Sequence, residues 1–366
     1  MKAARIALFQ QTLDAGGAQK IMVNLARGFA ERGHDVDFVL SEASGPLLAE
    51  IPEPVRIVSL GAGRLRRSVL PLARYLRRER PAALFSALDY VNVIALWARR
   101  LAGGSTRVIA CVHTTVSVDR ANEPRSPLDV LPWLMRCTYP RAAEVVAVST
   151  GAADDLAHTA RLPRDRIRVI YNPVVTPEFA SRARASLDDD WFAAGAPPVI
   201  LSVGRLTRAK DYPTLLRAFE RVRRQRRARL LLLGEGEERA SLEALARDLS
   251  LGEDVRMPGF AANPYPYMSR AAVFVLSSAW EALPTALIEA LACGTRVVST
   301  DCPSGPREIL QDGRYGALVE TRDEAALAGA ILAALDAPDD ADRLRARADE
   351  FSVERILPLY ERLIEA

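Results

Sequence analysis

Several residue types are scarce in this sequence, and each scarcity excludes a class of protein. The four cysteines, Cys111, Cys137, Cys293 and Cys302, lie far apart without metal-ligand spacing, which argues against a disulfide framework and a zinc module. No apolar run is long enough to cross a bilayer. The first residues enter a predicted strand directly and lack the apolar stretch of a signal peptide. We therefore expect a cytoplasmic protein with reduced thiols, Cys111 and Cys293 among them in the core.

Lysine is also rare, since only Lys2, Lys20 and Lys210 occur among 49 basic residues. The 46 acidic residues leave a net charge of +3. This balance, and the lack of a basic strand interleaved with aromatics, argues against a nucleic-acid partner. An arginine bias across the whole chain accounts for most of the pattern, which makes the lysine that persists at position 210 conspicuous.

Short apolar runs alternate with amphipathic segments along the chain, which predicts parallel sheets built from βαβ units. With 366 residues, of which 49% are hydrophobic, two domains can each bury a core. The predicted strands of the first half are Arg5–Phe9, Val36–Leu40, Val55–Leu60, Ala82–Ser86, Thr106–Val112, Glu144–Val148 and Ile167–Ile170. Those of the second half are Pro198–Val203, Arg229–Gly234, Asp254–Met257, Ala271–Leu276, Thr295–Thr300 and Ala317–Glu320. The predicted fold class is α/β, with two Rossmann-like, doubly wound domains facing each other across a cleft.

Prolines and an acidic run at residues 188–190 interrupt this rhythm in the middle of the chain. We predict an N-terminal domain over residues 1–172, a linker over 173–197 and a C-terminal domain over 198–350. A helix at about residues 351–366 could pack back on the first domain.

Residues 277–294 form the most informative stretch, in which a strand leads through a loop into a helix. Pro284 suits the first turn of that helix because its missing N–H has no partner to lose there, and Gly294 suits its end. Glu281 then lies in the loop and Glu289 in the helix. Ligands bind at this edge of open α/β sheets. From spacing alone, two solvated glutamates are an equally open interpretation.

Two other predicted strands are followed by residues suited to anions. Gly16 and Gly17 precede a helix, although neither a G-x-G-x-x-G fingerprint nor a Walker A loop is present, and a plain tight turn remains open. Arg205 and Lys210 follow the first strand of the second half, where a guanidinium fork and an ammonium would suit phosphate oxygens. A solvated surface pair is the alternative.

The remaining candidates are a histidine and a glycine turn. His113 follows a buried strand and would face the cleft, although a lone histidine is more often structural than catalytic. His34 is predicted in an exposed Gly-His-Asp turn, and His158 in a polar helix. The turn at residues 234–236 could make room for a nucleotide, but it is a weak signal by itself.

Taken together, these residues resemble the retaining glycosyltransferases of family 4, which have the two-lobed GT-B architecture. The resemblance covers nearly the whole chain. Its motifs are the Glu281 and Glu289 pair with its proline and Cys293-Gly294 continuation, residues 203–206 with Lys210, the turn at 234–236, Gly16-Gly17, and Asn172-Pro173-Val174. It implies transfer of a hexose-type sugar from a nucleotide sugar, UDP-linked in the first instance, to a hydroxyl of a glycan or lipid-linked acceptor.

The resemblance also implies roles for individual residues. Glu281 and His113 would be catalytic. Donor binding would involve Gly16, Gly17, Arg205, Lys210, Leu283, Pro284, Thr285, Leu287 and Glu289, with a weaker nucleotide-side set of Gly234, Glu235 and Phe260. No metal ion and no other cofactor is expected, because cationic side chains and the helix start would stabilise the leaving diphosphate.

Two departures from the family pattern bear on the identity of the sugar. His113 is followed by Thr114 where many relatives carry an acidic residue, and residues 302–308 replace a commoner double-glycine loop. The acceptor would lie against loops at residues 114–127, which carry no decodable pattern.

The basic segment Arg64–Arg80 is either a solvated face or a contact with the inner face of the cytoplasmic membrane. Three alternatives to a transferase stay open: a nucleotide-sugar epimerase of the same fold, a non-catalytic nucleotide-sugar-binding partner, and a dehydrogenase. The missing dinucleotide fingerprint disfavours the last.

Overall fold

A computed structural model describes residues 3–14, 16–122, 130–338 and 340–365. The chain divides into two compact units. The first comprises Met1–Val174 together with Val353–Ala366, and the second comprises Val175–Ser352. Residues 123–127 of the predicted acceptor loops lie outside the described residues.

The described part of the first unit contains a seven-stranded parallel sheet in the order β3-β2-β1-β4-β5-β6-β7. Its strands are β1 (Arg5–Gln10), β2 (Asp35–Leu40), β3 (Arg56–Ser59), β4 (Ala83–Ala87), β5 (Arg107–Val112), β6 (Glu144–Ala147) and β7 (Ile167–Val169). Every residue of β4 is buried, as in parallel sheets with helices on both faces. This confirms the predicted strand pattern.

The helices of the first unit are α1 (Gly17–Glu31), α2 (Val69–Glu79), α3 (Asp89–Ala102), α4 (Val116–Asn122), α5 (Leu131–Thr138), α6 (Thr150–Ala160) and the C-terminal helix α15 (Val353–Glu365). Helix α15 packs against α1. A Cβ atom on Gly28 would lie 2.7 Å from the Leu357 side chain, so glycine lets these two helices approach closely.

The same packing makes one prediction wrong. His34 is buried rather than exposed, because its ring lies beneath the C-terminal helix, where its Nε2 is 3.5 Å from Glu361. Its Nδ1 accepts a hydrogen bond from the Ala4 amide at 3.3 Å. The cysteine prediction is confirmed, since Cys111 and Cys293 are buried and free.

The described part of the second unit contains a six-stranded parallel sheet in the order β10-β9-β8-β11-β12-β13. Its strands are β8 (Val199–Val203), β9 (Arg229–Leu233), β10 (Val255–Gly259), β11 (Val273–Leu276), β12 (Val297–Thr300) and β13 (Ala317–Val319). Its helices are α7 (Phe179–Ala183), α8 (Tyr212–Gln225), α9 (Arg239–Asp248), α10 (Tyr265–Arg270), α11 (Thr285–Cys293), α12 (Pro306–Leu310), α13 (Glu324–Asp336) and α14 (Ala341–Asp349). The strand order runs in opposite directions on the two sides of the β8–β11 pair. The carboxyl ends of these two strands therefore form a topological switch point, where ligands bind in open α/β sheets.

The segment predicted as a linker, residues 173–197, belongs to the second unit from Val175 onward. It includes helix α7, from which the Phe179 ring packs on that of Tyr265 with centroids 4.3 Å apart. Further along, the Arg256 guanidinium lies 4.2 Å from the centroid of the Trp191 ring. Proline content alone did not reveal these aromatic anchors.

Candidate functional site

The loops that follow β8 and β11 meet at the carboxyl edge of the second sheet. Lys210 donates a hydrogen bond from Nζ to Glu281 Oε1 at 2.5 Å. The backbones are tied together as well, because Ser277 Oγ donates to the Lys210 carbonyl at 2.8 Å and the Ala279 amide to the Ala209 carbonyl at 2.8 Å. The structure therefore brings together a lysine and a glutamate that are 71 residues apart in sequence.

Glu281 is held from a second direction by a hydroxyl that the motif analysis did not single out. Ser278 Oγ donates to Glu281 Oε1 at 2.7 Å, and the Ser278 carbonyl accepts from Thr300 Oγ1 at 2.6 Å. The side chains of Lys210 and Glu281 are 21% and 13% exposed, so the pair is largely shielded yet reachable. Burial, followed by the charge of Glu281, raises the pKa of the Cys302 thiol.

Helix α11 begins beside this pair. Pro284 occupies the cap position (φ −70°, ψ 102°), one residue earlier than the helical turn predicted for it, and no side chain caps the helix. The Leu287 amide donates to the Pro284 carbonyl at 3.2 Å, and the Leu287 side chain is buried. The N–H groups of Thr285 and its neighbours are left to make the positive end of the helix. Leu283 is buried on the approach to it.

The loop at residues 302–306 presses against this helix start. Gly305 has φ +91°, and a Cβ atom there would lie 2.6 Å from Pro284 Cδ and 2.9 Å from the Ala282 carbonyl oxygen. Ser304 Oγ donates to the same Ala282 carbonyl at 2.9 Å. The departure from the double-glycine pattern thus still keeps glycine where the two backbones touch.

Glu289 occupies a different environment from Glu281. It is buried in α11, and its Oε1 accepts a hydrogen bond from the Tyr265 hydroxyl at 3.1 Å. Tyr265 lies on α10 outside any motif, so no sequence signal pointed to it. The two glutamates have separate partners and do not form a matched acid and base.

Glycines allow the loops after β8, β9 and β10 to contact one another through their backbones. The Gly204 amide donates to the Leu233 carbonyl at 3.0 Å, and the Gly234 amide to the Gly259 carbonyl at 2.9 Å. Gly234 has φ +150°, and a Cβ atom there would lie 1.9 Å from the Gly204 carbonyl oxygen. Gly234 is therefore required for the loop that carries Arg205 to close on its neighbour.

The remaining predicted donor-binding residues of this unit differ in how free their side chains are to contact a ligand. Arg205 is exposed, and within the described ranges its side chain makes no hydrogen bond or ion pair. Glu235 binds Arg239 at 2.6 Å, which leaves it less available to a nucleotide. Phe260 is an exposed aromatic ring just after β10.

In the first unit, Gly16 caps helix α1, and Gly17 is its first residue. The cap has no side-chain hydrogen bond, and Gly16 has an ordinary extended backbone (φ −98°, ψ 153°). A Cβ atom on Gly16 would meet only the flexible end of Gln19. The geometry suits an anion at the helix start but does not by itself require glycine.

His113 follows β5 with its Nε2 buried and, among the described residues, without a hydrogen-bond partner. Burial lowers the pKa of His113 to about 4, so the ring is neutral at pH 7. The adjacent Thr114 donates from Oγ1 to Asp89 Oδ2 at 2.7 Å. Burial raises the pKa of Asp89 to about 6. Asp89, the first residue of α3, is therefore a buried carboxyl in contact with the residue that follows His113, and no sequence motif pointed to it.

None of the helices in the described residues has the length and apolar character needed to cross a membrane. In the same residues, His, Cys, Asp and Glu side chains form no group of three or more able to hold a metal ion.

Two family profiles together match most of the chain. That of the group 1 glycosyl transferases matches residues 184–351, and that of glycosyltransferase family 4 matches residues 15–177. The group 1 match spans the whole second sheet, and the family 4 match spans the first sheet apart from β1.

Curated relatives and solved structures agree with these profiles. The chain is 35% identical over 240 residues to the N-acetylgalactosamine-N,N'-diacetylbacillosaminyl-diphospho-undecaprenol 4-alpha-N-acetylgalactosaminyltransferase of Campylobacter jejuni, a match that covers 66% of this chain but only 63% of that protein. It is 29% identical to the lipopolysaccharide core biosynthesis glycosyltransferase LpsE of Rhizobium meliloti, over 95% of this chain and 96% of LpsE. The crystal structure of Anabaena HepE in complex with UDP-glucose shares the fold, with a TM-score of 0.81, 20% identity and 99% coverage of both chains.

Proposed function

Because the chain belongs to the group 1 and family 4 glycosyltransferases, we propose that it transfers a hexose-type sugar from a nucleotide sugar to a hydroxyl of a glycan or lipid-linked acceptor. The observation that carries the proposal is the contact between Lys210 and Glu281 beside the start of α11. At this sheet edge, the cation and the helix N-terminus would bind the diphosphate, and the carboxylate would accept hydrogen bonds from the sugar.

The positive groups of the site would stabilise the leaving diphosphate. Breaking the bond between the anomeric carbon and the diphosphate places negative charge on the leaving oxygen. Arg205 is exposed for bidentate contact, Lys210 adds a compact charge, and the N-terminal amides of α11 add the helix dipole. These groups would neutralise the charge that a divalent cation neutralises in metal-dependent transfer, and we propose that the reaction needs no metal.

The carboxylates would handle different parts of the donor. Glu281, held by Lys210 and Ser278, would contact the sugar, and Glu289 in α11 would accept hydrogen bonds from ribose hydroxyls. His113, neutral at pH 7 with Nε2 unpartnered among described residues, would contact the sugar as a hydrogen-bonding group. The acceptor hydroxyl would attack from the leaving-group face and pass its proton to a phosphate oxygen, so the anomeric configuration is retained.

The comparisons support finer features of the proposal. HepE is a structural neighbour with bound UDP-glucose, which favours a UDP-linked donor here. The Campylobacter relative acts on a diphospho-undecaprenol acceptor, which favours a lipid-linked acceptor here. That relative transfers N-acetylgalactosamine, so an N-acetylated hexose belongs in the donor panel.

The direct test is nucleotide release from UDP- and GDP-linked sugars, with and without polyprenyl-diphosphate glycan acceptors. We expect acceptor-dependent release of UDP and a product whose anomeric configuration, read by NMR, matches that of the donor. Consumption of the nucleotide sugar without acceptor would indicate the epimerase alternative. Donor binding without turnover on any acceptor would indicate a non-catalytic partner, and an inverted product would contradict the retaining mechanism.

A further inference from the structure

An exposed apolar surface extends across three neighbouring helices of the first unit. Helix α2 packs against α3, and α3 against α5. The large side chains of this surface are between 39% and 62% exposed, and we call it the aromatic face: Leu70, Tyr90, Trp97, Leu101 and Trp133. Tyr90, Trp97 and Leu101 lie along one stripe of α3, since seven and four residues separate them.

The three helices carry positive charge almost exclusively. Their arginines are Arg74, Arg77 and Arg78 on α2, Arg99 and Arg100 on α3, and Arg136 on α5. Their acidic residues, all within described segments, are Glu79 and Asp89. Glu79 pairs with Arg5, Arg56 and Arg78, and Asp89 is buried. The exposed charge on these three helices is therefore that of arginine.

The basic segment Arg64–Arg80 does not present an apolar face of its own. Leu72, Tyr75 and Leu76 of α2 are buried in the unit, and Leu70 is the large apolar side chain of that helix left exposed. Arg77 donates from Nε to the Ala102 carbonyl at 3.1 Å and also binds the Leu101 carbonyl. This contact fixes a cationic helix alongside the aromatic stripe of α3.

We propose that the aromatic face is a docking surface for an anionic lipid bilayer. Tryptophan and tyrosine favour the boundary between headgroups and acyl chains, and arginines at the same level attract anionic headgroups. The charge of the face matches an anionic surface, and its apolar side chains come from α3 and α5 rather than from α2. This inference rests on the proposed function in one respect. A lipid-linked acceptor would be held in a membrane, so the enzyme would have to bind there to reach it.

The test is flotation of the full-length chain with vesicles of phosphatidylglycerol or of phosphatidylcholine. We expect binding to phosphatidylglycerol that weakens with salt, and little binding to phosphatidylcholine. Trp97→Ser combined with Trp133→Ser should weaken binding tenfold or more, whereas Ile57→Ser, which removes an exposed apolar side chain from β3, should not. Failure of the unmodified chain to bind phosphatidylglycerol vesicles overturns the proposal, and so does unchanged binding by the double variant.

Charge is tested separately with paired variants. Each arginine near an anionic surface is worth roughly fivefold in binding, so Arg74→Gln with Arg100→Gln should weaken binding by tenfold or more. The matched control is Arg221→Gln with Arg227→Gln, which removes the same charge from exposed positions of the second unit. An equal loss of vesicle binding in both pairs of variants would show that binding depends on net charge rather than on the aromatic face. That result would overturn the proposal.

Two further readouts separate this inference from other accounts. Light scattering after size-exclusion chromatography detects a second copy on the face. A dimer that the tryptophan substitutions dissociate would overturn the proposal. Transfer to a detergent-solubilised acceptor tests the proposed function alone. Retained transfer without vesicle binding refutes only the docking surface, and vesicle binding without transfer refutes only the proposed function.

Discussion

Lys210 Nζ lies 2.5 Å from Glu281 Oε1, where the loops after two neighbouring strands of the second sheet meet. The lysine and the carboxylate hold each other in place through a charge-assisted hydrogen bond. A donor bound as proposed would meet a preformed pair, and its diphosphate would compete with Glu281 for the ammonium. Both residues are therefore expected to affect donor affinity and turnover together.

Replacement of Glu281 should strongly reduce transfer. We expect Glu281→Ala to lower kcat by about a hundredfold or more, the scale seen when one preorganised charge-stabilising group is lost. Steady-state nucleotide release measures it. The control is Glu253→Ala, an exposed glutamate before β10, which should leave kcat unchanged. Near-normal transfer by the Glu281 variant would remove its assigned role.

Chelation should leave the reaction intact. Arg205, Lys210 and the start of α11 are proposed to stabilise the diphosphate leaving group, so prior dialysis against EDTA should change the initial rate by less than about twofold. The assay compares EDTA-treated enzyme with and without added Mg²⁺ or Mn²⁺. A strict requirement for either ion would count against the cationic side-chain account.

Gly234 should tolerate no side chain. A Cβ atom would lie 1.9 Å from the Gly204 carbonyl oxygen, so Gly234→Ala must push the loop after β8 outward and displace Arg205. We expect a loss of donor affinity of tenfold or more, measured by calorimetry. Gly252→Ala is the control, because a Cβ atom there meets nothing within 4 Å. Equal affinity of the two variants would mean that the backbone contact has no bearing on the site.

Asp89 should make stability depend on pH. Burial raises its pKa from 3.8 to about 6, so the folded state holds the proton more tightly than the unfolded state. This contribution is fully present below pH 3.8 and is lost as pH rises through 6. Asp89→Asn removes this pH-dependent loss of stability, because an amide does not ionise. The difference in unfolding free energy between Asp89→Asn and the unmodified protein should therefore be about 1 kcal/mol larger, in favour of the variant, at pH 7.5 than at pH 5.

Urea unfolding at the two pH values measures this difference. His113 titrates with the opposite sign, because its lowered pKa of about 4 makes stability fall as pH drops below 6.5, but it is present in both proteins and cancels. Asp165→Asn, which replaces an exposed carboxylate by an amide, is the control variant. A gain for Asp89→Asn that does not grow with pH would contradict a buried carboxyl at this position.

The sequence predicted those features of the structure that depend on residues close together in the chain. Apolar runs covered by helices predicted the strands, and glycines with charged residues at strand ends located the loop of Lys210 and the helix of Glu289. Contacts between distant segments were not predictable in this way. His34 is buried by the C-terminal helix, Tyr265 reaches Glu289 from another helix, and Asp89 binds Thr114 across two strands.

We propose that the donor diphosphate binds between the loop of Arg205 and Lys210 and the start of α11. Calorimetric titration of UDP and of uridine into the unmodified enzyme, Arg205→Ala, Lys210→Ala and the control Arg227→Ala tests it most directly. We predict that the two site variants lose UDP affinity by tenfold or more and turnover by about a hundredfold or more, with uridine affinity unchanged. Unchanged UDP affinity in both site variants, or an equal loss in Arg227→Ala, would mean that the diphosphate does not bind at this position.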